Sequence, residues 1–406
     1  MLFQSIIGQK DIKVHLMHMI QQNRLSHALL FLGKEGVGAL PLAIAFANYL
    51  SLPKNAVPKK KEASLFGEAP EEVLATTVPT TPAEIDNWMQ QQQGWGKVKD
   101  MVHPDIHFSY PVIPRKSGDK PISTDYIKEW REFISTNPYG NVYDWLQFIG
   151  AENKQGNITA HECSDIIRKM NLKSFESEYK ILIMWMPELL GKEGNKLLKL
   201  IEEPPPDTLF ILVAENDSLI LPTILSRTQL IKIPQLSALD IESALELRQG
   251  ISSQKAQQVA AISSGNYHEA IQQLQHAEDD WEVFLRDWLN SIVKTGPVAQ
   301  VKWIEEISKI GREKQKQFLK YFVHILEMAT RLRVIPSQSD QLERADVAFA
   351  LKFNKLCDIT QQEAIVHELD QAAYYIERNA NAKILFHALT IKLYHIISNK
   401  SVILMQ

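Results

Sequence analysis

The chain has 406 residues, of which 45% are apolar, and its 44 basic and 48 acidic side chains leave a net charge of −4. This length and apolar content suffice for two or three domains with buried cores. The slightly acidic balance, with a pI near 6.3, excludes a globally basic nucleic-acid binder but leaves a local basic face open. Charge alone therefore neither assigns nor excludes a role on DNA.

Cysteine usage and hydropathy bound the compartment. Cys163 and Cys357 are the two cysteines, and they form no CxxC pair, so we expect neither a disulfide framework nor a cysteine zinc site. Residues 1–10 lack a basic segment followed by an apolar stretch, and no apolar run approaches the roughly 18 residues of a membrane helix. We predict no export signal, no membrane span and a cytoplasmic location.

The first predicted elements are a helix, a buried strand and a glycine loop. Apolar residues follow helical spacing over residues 11–20, and residues 28–32 form a continuous apolar run that ends at Gly33. Residues 42–50 are apolar and alanine-rich, which predicts a helix after the loop. The order of strand, glycine loop and helix is typical of an α/β nucleotide-binding unit.

The glycine loop matches the phosphate-loop template G-x-x-x-x-G-K-[S/T] only in part. Gly33, Gly36 and Gly38 would let backbone N–H groups curl around phosphates. Ala39 stands where the template has its lysine, and Leu40 stands where it has the hydroxyl that holds Mg²⁺. We therefore predict that the loop does not bind Mg-ATP tightly.

Two irregular segments follow. Residues 51–102 carry lysines at 59–61, prolines, threonines and a glutamine run, which predicts a partly disordered surface insertion. The lysines indicate a solvated loop, with contact to DNA phosphates as the alternative. Residues 111–157 hold too many aromatic side chains for a flexible linker, so we expect this second insertion to pack on another part of the chain. Its aromatic residues include Trp130, Tyr139, Tyr143, Trp145 and Phe148.

The segment from His103 to His107 places two histidines and Asp105 within five residues. Pro104 and the alternating geometry of an extended segment keep all three side chains from converging, so we expect no metal site there.

Alternating strands and helices return after this segment and predict a parallel sheet with helices on both faces. Beyond Pro234 no strand pattern remains, and helical patterns continue to the C-terminus. The predicted elements are a helix over 160–173, strands over 179–185, 209–214 and 230–233, a helix over 195–203, a small helical unit over 237–275, and longer helices over 281–292, 313–333 and 382–397.

The strand over 179–185 would carry the metal-holding aspartate and catalytic glutamate of an ATPase at its end. It continues instead as Trp185-Met186-Pro187-Glu188, where Glu188 is the only acid and comes about two residues late. We interpret Glu188 as a solvent-facing or helix-starting residue.

Several short motifs, in their order and spacing, resemble the bacterial clamp-loader branch of the AAA+ superfamily, and within it subunits of the delta-prime type. The first 235 residues or so hold nearly all the matches. The motifs are Ile7-Gly8-Gln9, Arg24-Leu25-Ser26-His27-Ala28, His103-Pro104-Asp105, residues 197–205 with Leu-Ile-Glu-Glu-Pro-Pro, and Ser226-Arg227-Thr228.

The resemblance implies an α/β AAA+ module with a P-loop-type parallel sheet, a helical lid and an all-α collar that joins neighbouring subunits. The corresponding ranges are 1–235, with insertions at 51–102 and 111–157, then 236–277 and 278–406. It also implies partners: gamma/tau and delta subunits, and through the complex the sliding clamp and primed DNA. The chain would be one component of the DNA polymerase III holoenzyme, a nucleotidyltransferase complex.

The segment Ser226-Arg227-Thr228 resembles the family's Ser-Arg-Cys motif, whose arginine reaches the ATP of an adjacent subunit. A guanidinium suits this role because it is permanently charged and can meet phosphate oxygens bidentately. The resemblance thus implies that Arg227 acts in trans, while ATP is bound by the neighbours and this chain has no cofactor and no intrinsic ATPase activity.

Departures from the family pattern bear on the nucleotide site and on zinc. The four-cysteine zinc module common in the family is missing from residues 51–102, so we expect no zinc. His268 stands where active relatives place a nucleotide-sensing arginine.

Two alternatives stay open: an active AAA+ ATPase with a divergent loop, and a repair or recombination scaffold that uses an inactive AAA+ module for protein contacts. ATP binding by the purified chain separates the first, and co-purifying partners separate the second.

Overall fold

The computed structural model describes residues 1–22, 24–52, 81–116, 118–151, 154–275, 281–334, 344–377 and 380–398. Within these residues five strands form one sheet in the order β2-β3-β4-β1-β5, and every neighbouring pair is parallel. The strands are β1 (Ala28–Leu32), β2 (Ile106–Ser109), β3 (Lys180–Trp185), β4 (Thr208–Ala214) and β5 (Gln229–Lys232).

Eighteen α-helices surround or follow the sheet within the described ranges. They are α1 (Lys10–Gln21), α2 (Ala39–Ser51), α3 (Pro82–Gln91), α4 (Trp95–Lys99), α5 (Ile127–Thr136), α6 (Val142–Phe148), α7 (Ala160–Met170), α8 (Leu198–Glu202), α9 (Pro222–Leu225), α10 (Ala238–Gln249), α11 (Ser253–Ile262), α12 (Tyr267–Gln275), α13 (Trp281–Asn290), α14 (Pro297–Ile307), α15 (Arg312–Val334), α16 (Arg344–Leu356), α17 (Ile359–Glu377) and α18 (Ala382–Ser398).

The centre of the sheet is buried on both faces. Every residue of β3 and β4 is buried, as expected for parallel strands covered by helices on both sides. All 13 residues of α2 are buried as well, because this helix is apolar around its whole circumference and packs against β3 and β4. The glycine loop between β1 and α2 therefore stands on rigid supports.

The prediction for residues 51–102 is wrong in its described part. Instead of an irregular surface segment, residues 81–99 form α3 and α4, and Ile85, Met89 and Val98 pack in the main core. Thr81 caps α3 through a capping box that is closed by Glu84. The lysines at 59–61 lie outside the described residues.

The second insertion, residues 111–157, packs on the sheet as its aromatic content predicts. It contains α5, α6 and a 3-10 turn over Ser123–Tyr126. The Trp130 ring stacks on Tyr110 with centroids 4.0 Å apart and meets Trp145 edge-on at 5.3 Å. The indole of Trp145 donates to the carbonyl of Pro111 at 2.7 Å, which fixes the start of the segment against its end.

The chain divides into two compact units, Met1–Leu274 and Gln275–Gln406. The first contains the sheet and helices α1 to α11, together with most of α12. The second is helical throughout its described residues, and its core includes Trp288, Trp303 and Phe386. The boundaries predicted at 235 and 277 stay predictions. No described helix has the length and hydropathy needed to cross a bilayer.

Candidate functional site

The glycine loop lies at the C-terminal end of β1, where the amide of Gly33 still pairs with the carbonyl of Ala214 at 3.0 Å. Gly36 and Gly38 have φ values of 72° and 88°, a conformation in which glycine avoids strain. A β-carbon on Gly38 would lie 3.0 Å from Cε1 of Tyr139, so this side chain from the second insertion rests directly against the loop. The ring thus packs against the glycine that precedes helix α2.

The N-terminus of α2 lacks the charged and hydroxyl side chains of the phosphate-loop template, and it also lacks one backbone N–H donor. Ala39 and Leu40, in the lysine and hydroxyl positions, are buried with 7% and 5% of their surface exposed. Pro41 follows in the first turn and has no N–H, so one of the backbone donors of a helix N-terminus is missing. Sequence reasoning about the motif stopped at Leu40 and missed this third loss.

Glu35, an acidic residue within the glycine loop, contacts polar side chains from two distant parts of the chain. The carboxylate of Glu35 accepts hydrogen bonds from Asn141 at 3.2 Å and from Asn266 at 3.2 Å, and it pairs with Nδ1 of His268 at 3.0 Å. Nε2 of His268 meets Asp144 at 2.6 Å. The loop, helix α6 of the insertion and helix α12 are thus tied together through one imidazole.

His268 is a buried cation. Burial lowers the pKa of His268, but the hydrogen bonds to Asp144 and Glu35 outweigh that effect and raise the pKa to about 10. The imidazolium is therefore neutralised by two carboxylates of the same chain. An arginine that senses nucleotide would meet phosphate oxygens instead, and Glu35 brings negative charge to a loop that would have to accept an anion.

Tyr139 also contacts the N-terminal segment and helix α10. The hydroxyl of Tyr139 accepts the amide of Ile7 at 2.7 Å. Arg248 of α10 lies over the rings of Tyr139 and Tyr267, with its guanidinium carbon 5.7 and 5.6 Å from their centroids. We call the residues around the loop the closed loop cluster (Glu35, Tyr139, Asn141, Asp144, Asn266 and His268).

Strand β3 ends in Met184 and Trp185, and the next acidic residue along the chain is Glu188. Trp185 is buried and packs 5.3 Å from the Trp130 ring, centroid to centroid. Glu188 lies in the first turn of the 3-10 segment Pro187–Leu197, in agreement with one of its two predicted roles, but the solvent-facing alternative is wrong. Its carboxylate accepts the amides of Glu215 and Asn216 at 2.6 and 2.9 Å, and burial raises its pKa.

The His103-Pro104-Asp105 motif holds a loop. The Asp105 carboxylate accepts the amides of Phe175, Glu176 and Ser177 at 2.6 to 2.9 Å. Burial works against ionisation of Asp105, yet these hydrogen bonds prevail and lower its pKa. Nε2 of His103 lies 3.3 Å from Glu176. The motif thereby fixes the turn that leads into β3.

Arg227 lies just after α9, on the surface of the first unit, with a third of its side chain exposed. Its Nε donates to Oε1 of Glu202 at 2.5 Å, and Nη1 donates to the carbonyl of Thr223 at 2.7 Å. Ser226 accepts a further bond from Nη1 at 3.2 Å, whereas the Thr228 hydroxyl turns back to Leu225. The guanidinium is thus reachable from outside, but it is already engaged by Glu202.

Comparisons with known proteins bear on this architecture. A family model described as "DNA polymerase III, delta subunit" matches residues 140–237. DNA polymerase III subunit delta' of Bacillus subtilis (strain 168) is 24% identical over 258 residues, which are 63% of this chain and 56% of that relative. The match therefore spans little more than half of the relative's length.

Two solved structures are similar over most of their length. One is a gamma-subunit-related protein of DNA polymerase III from Thermotoga maritima, with 12% identity, a TM-score of 0.35, and coverage of 93% of this chain and 98% of that one. The other is the clamp loader delta protein of Bacillus subtilis, with 13% identity, a TM-score of 0.24, and coverage of 74% and 98%.

The parallel sheet, the glycine loop at the end of β1 and the helical C-terminal unit define an α/β module followed by an all-α region. Within that class, the family model and the curated relative confirm the resemblance to clamp-loader subunits of the delta-prime type.

Proposed function

We propose that this chain is a non-hydrolysing, delta-prime-type subunit of the DNA polymerase III clamp loader. It supplies Arg227 in trans to the ATP site of a neighbouring gamma/tau-type subunit, and hydrolysis there drives loading of the sliding clamp on primed DNA. A delta-type subunit completes the assembly. The observation that carries the proposal is an asymmetry: side chains of this chain contact its own glycine loop, while Arg227 lies partly exposed at the surface.

The test is Arg227→Ala in a complex reconstituted with the gamma/tau and delta partners. Arginine fingers contribute about 10³ to 10⁵ in rate, so turnover at the site that Arg227 serves should nearly vanish. The DNA-stimulated ATPase rate of the whole complex should then fall by that site's share. Arg227→Lys should also be defective, because lysine keeps the charge but lacks the planar fork.

The matched control for this test is Arg168→Ala, which removes an exposed arginine of α7 that pairs with Asp165. Its complex should turn over ATP at the wild-type rate. Wild-type turnover in the Arg227→Ala complex would refute the proposed trans role.

The rival function, an active ATPase with a divergent loop, predicts that the purified wild type binds Mg-ATP. Our proposal predicts that it does not. Restoring the motif in the double variant Ala39→Lys/Leu40→Thr should still give no measurable Mg-ATP binding, because Tyr139, Glu35 and Pro41 continue to obstruct the loop. Isothermal titration calorimetry of the wild type and the variant at millimolar ATP measures Mg-ATP binding. Circular dichroism confirms that the variant is folded. Micromolar affinity in the wild type would favour the rival.

A repair or recombination scaffold remains the candidate from another class. Affinity purification of the full chain from native extract distinguishes it, since a clamp-loader subunit should bring gamma/tau and delta partners with it.

A further inference from the structure

The binding edge of the Arg227 guanidinium is already occupied within this chain. Both Nε and Nη2 point at one carboxylate oxygen, Oε1 of Glu202, with the Nε bond at 2.5 Å. The remaining nitrogen, Nη1, is held by the Thr223 carbonyl at 2.7 Å. All three nitrogens of the guanidinium therefore have a partner in this conformation.

The edge formed by Nε and Nη2 is one of those through which an arginine binds a carboxylate or a phosphate with two parallel hydrogen bonds. One edge cannot serve Glu202 and a triphosphate oxygen pair at the same time. Glu202 and a neighbour's nucleotide therefore compete for Arg227.

The pair is held in place by the fold. Glu202 is the last residue of α8, and Arg227 follows α9 by two residues. The two short helices contact each other, and Ile201 and Ile224 are buried in the same core cluster. Because neighbouring residues on both sides are anchored, the carboxylate stays within reach of the guanidinium whenever no competitor is present.

The pair is also weak enough to open. The side chains of Arg227 and Glu202 are 33% and 42% exposed, so water screens their attraction. Exposed ion pairs of this kind shift an equilibrium by a factor of roughly two to five. A triphosphate with Mg²⁺, carrying more negative charge in a drier site, can displace such a partner.

We propose that Glu202 parks Arg227: it holds the guanidinium in an inactive position until an adjacent subunit presents ATP, and it sets the threshold at which Arg227 is handed over. Glu202 is thus a positioning residue that restrains hydrolysis at the neighbouring site. This inference rests on the proposed trans role of Arg227.

Glu202→Gln tests the parking role, because glutamine keeps the size and one acceptor oxygen of the side chain but removes the charge. In the reconstituted complex without DNA, the ATPase rate should rise roughly two- to fivefold. The maximal DNA-stimulated rate should stay at the wild-type level, since Arg227 itself is intact. Glu203→Gln is the matched control, because it removes the same charge from the adjacent exposed residue, and its rates should equal the wild type.

A second readout in the isolated full chain detects the pair directly. The Nε proton of Arg227 should exchange with water faster in Glu202→Gln than in the wild type or Glu203→Gln, as measured by nitrogen-edited NMR. The double variant Glu202→Gln/Arg227→Ala should have the low ATPase rate of Arg227→Ala alone.

Each result has a separate meaning. If Arg227→Ala lowers turnover but Glu202→Gln leaves the DNA-free rate unchanged or lowers it, the parking role is overturned and the trans role stands. If Arg227→Ala has no effect, the trans role fails, and the parking role fails with it.

Discussion

His268→Ala is expected to lower the free energy of unfolding of the N-terminal unit by about 3–5 kcal/mol at pH 7, the range found when one partner of a buried ion pair is removed. The substitution leaves the partly buried carboxylates of Glu35 and Asp144 without the buried cation that lies 3.0 and 2.6 Å away. Amide hydrogen exchange of β1 and β4 measures the change and separates this unit from the C-terminal one.

The pH dependence of this effect follows from the raised pKa. The pKa of His268 is about 10 in the folded chain and near its ordinary 6.5 when unfolded, so its stabilising contribution is complete below about pH 6.5 and disappears as the pH rises through 10. The gap in stability between wild type and His268→Ala should therefore shrink between pH 6.5 and 10.

The control for His268 is His161→Ala, an exposed histidine of α7, which should change stability by no more than about 0.5 kcal/mol. A gap for His268→Ala that stays constant from pH 6.5 to 10 would contradict a protonated His268. A loss below 1 kcal/mol would contradict the ion pairs themselves.

Trp145→Ala should destabilise the same unit by about 3–5 kcal/mol, the usual cost of deleting a large buried aromatic side chain. Trp145 is fully buried, and its ring lies 5.2 to 5.4 Å from those of Tyr110, Trp130 and Phe133, centroid to centroid. The variant also leaves the carbonyl of Pro111 without the indole donor. Chemical denaturation in urea measures the loss.

Two further variants separate the contributions of Trp145 to stability and provide a control. Trp145→Phe keeps most of the packing and should cost less than Trp145→Ala, the remainder coming from the lost hydrogen bond. Phe175→Ala, which removes an aromatic ring that is 80% exposed, should be nearly neutral. Equal losses for Trp145→Ala and Phe175→Ala would contradict the role of Trp145 as a core residue.

The central strands of the sheet could be predicted from the sequence because they are buried on both faces and are therefore continuous apolar runs. The edge strand β2 was not predicted, and β5 is mostly exposed. The run over 28–32 coincides with β1, and the predicted strands over 179–185 and 209–214 lie within one residue of β3 and β4. The long helices were equally readable: the predicted helix over 313–333 is α15 with one residue added at each end. Local periodicity was sufficient for both.

Helix α3 was not predicted, although the sequence pattern that starts it is local. Thr81, Pro82 and Glu84 form a capping box with proline at the first helical position, which is a recognised helix start. The polar and glutamine-rich composition of residues 51–102 obscured that signal. The start of a helix should therefore be sought even within segments whose overall composition indicates a loop.

The closed loop cluster could not be predicted in full, because it joins residues that lie far apart in the chain. Glu35 meets Asn141 across 106 positions and His268 across 233. Periodicity and motif spacing carry no information about such pairings. The sequence did indicate departures from the nucleotide-binding pattern at Ala39, Leu40 and His268, but the contacts that Glu35 and Tyr139 make around the loop required the fold.

The way His268 joins three segments also affects how this subunit can evolve. Under the proposed function, a phosphate-loop motif of the usual kind would require a lysine at 39, a hydroxyl at 40, a donor in place of Pro41, the removal of Tyr139 from Gly38 and a new partner for His268. Each of these steps alone disturbs a packed or charge-balanced interior and brings no affinity in return. Single substitutions toward the phosphate-loop motif should therefore lower the stability of the N-terminal unit without creating a nucleotide site.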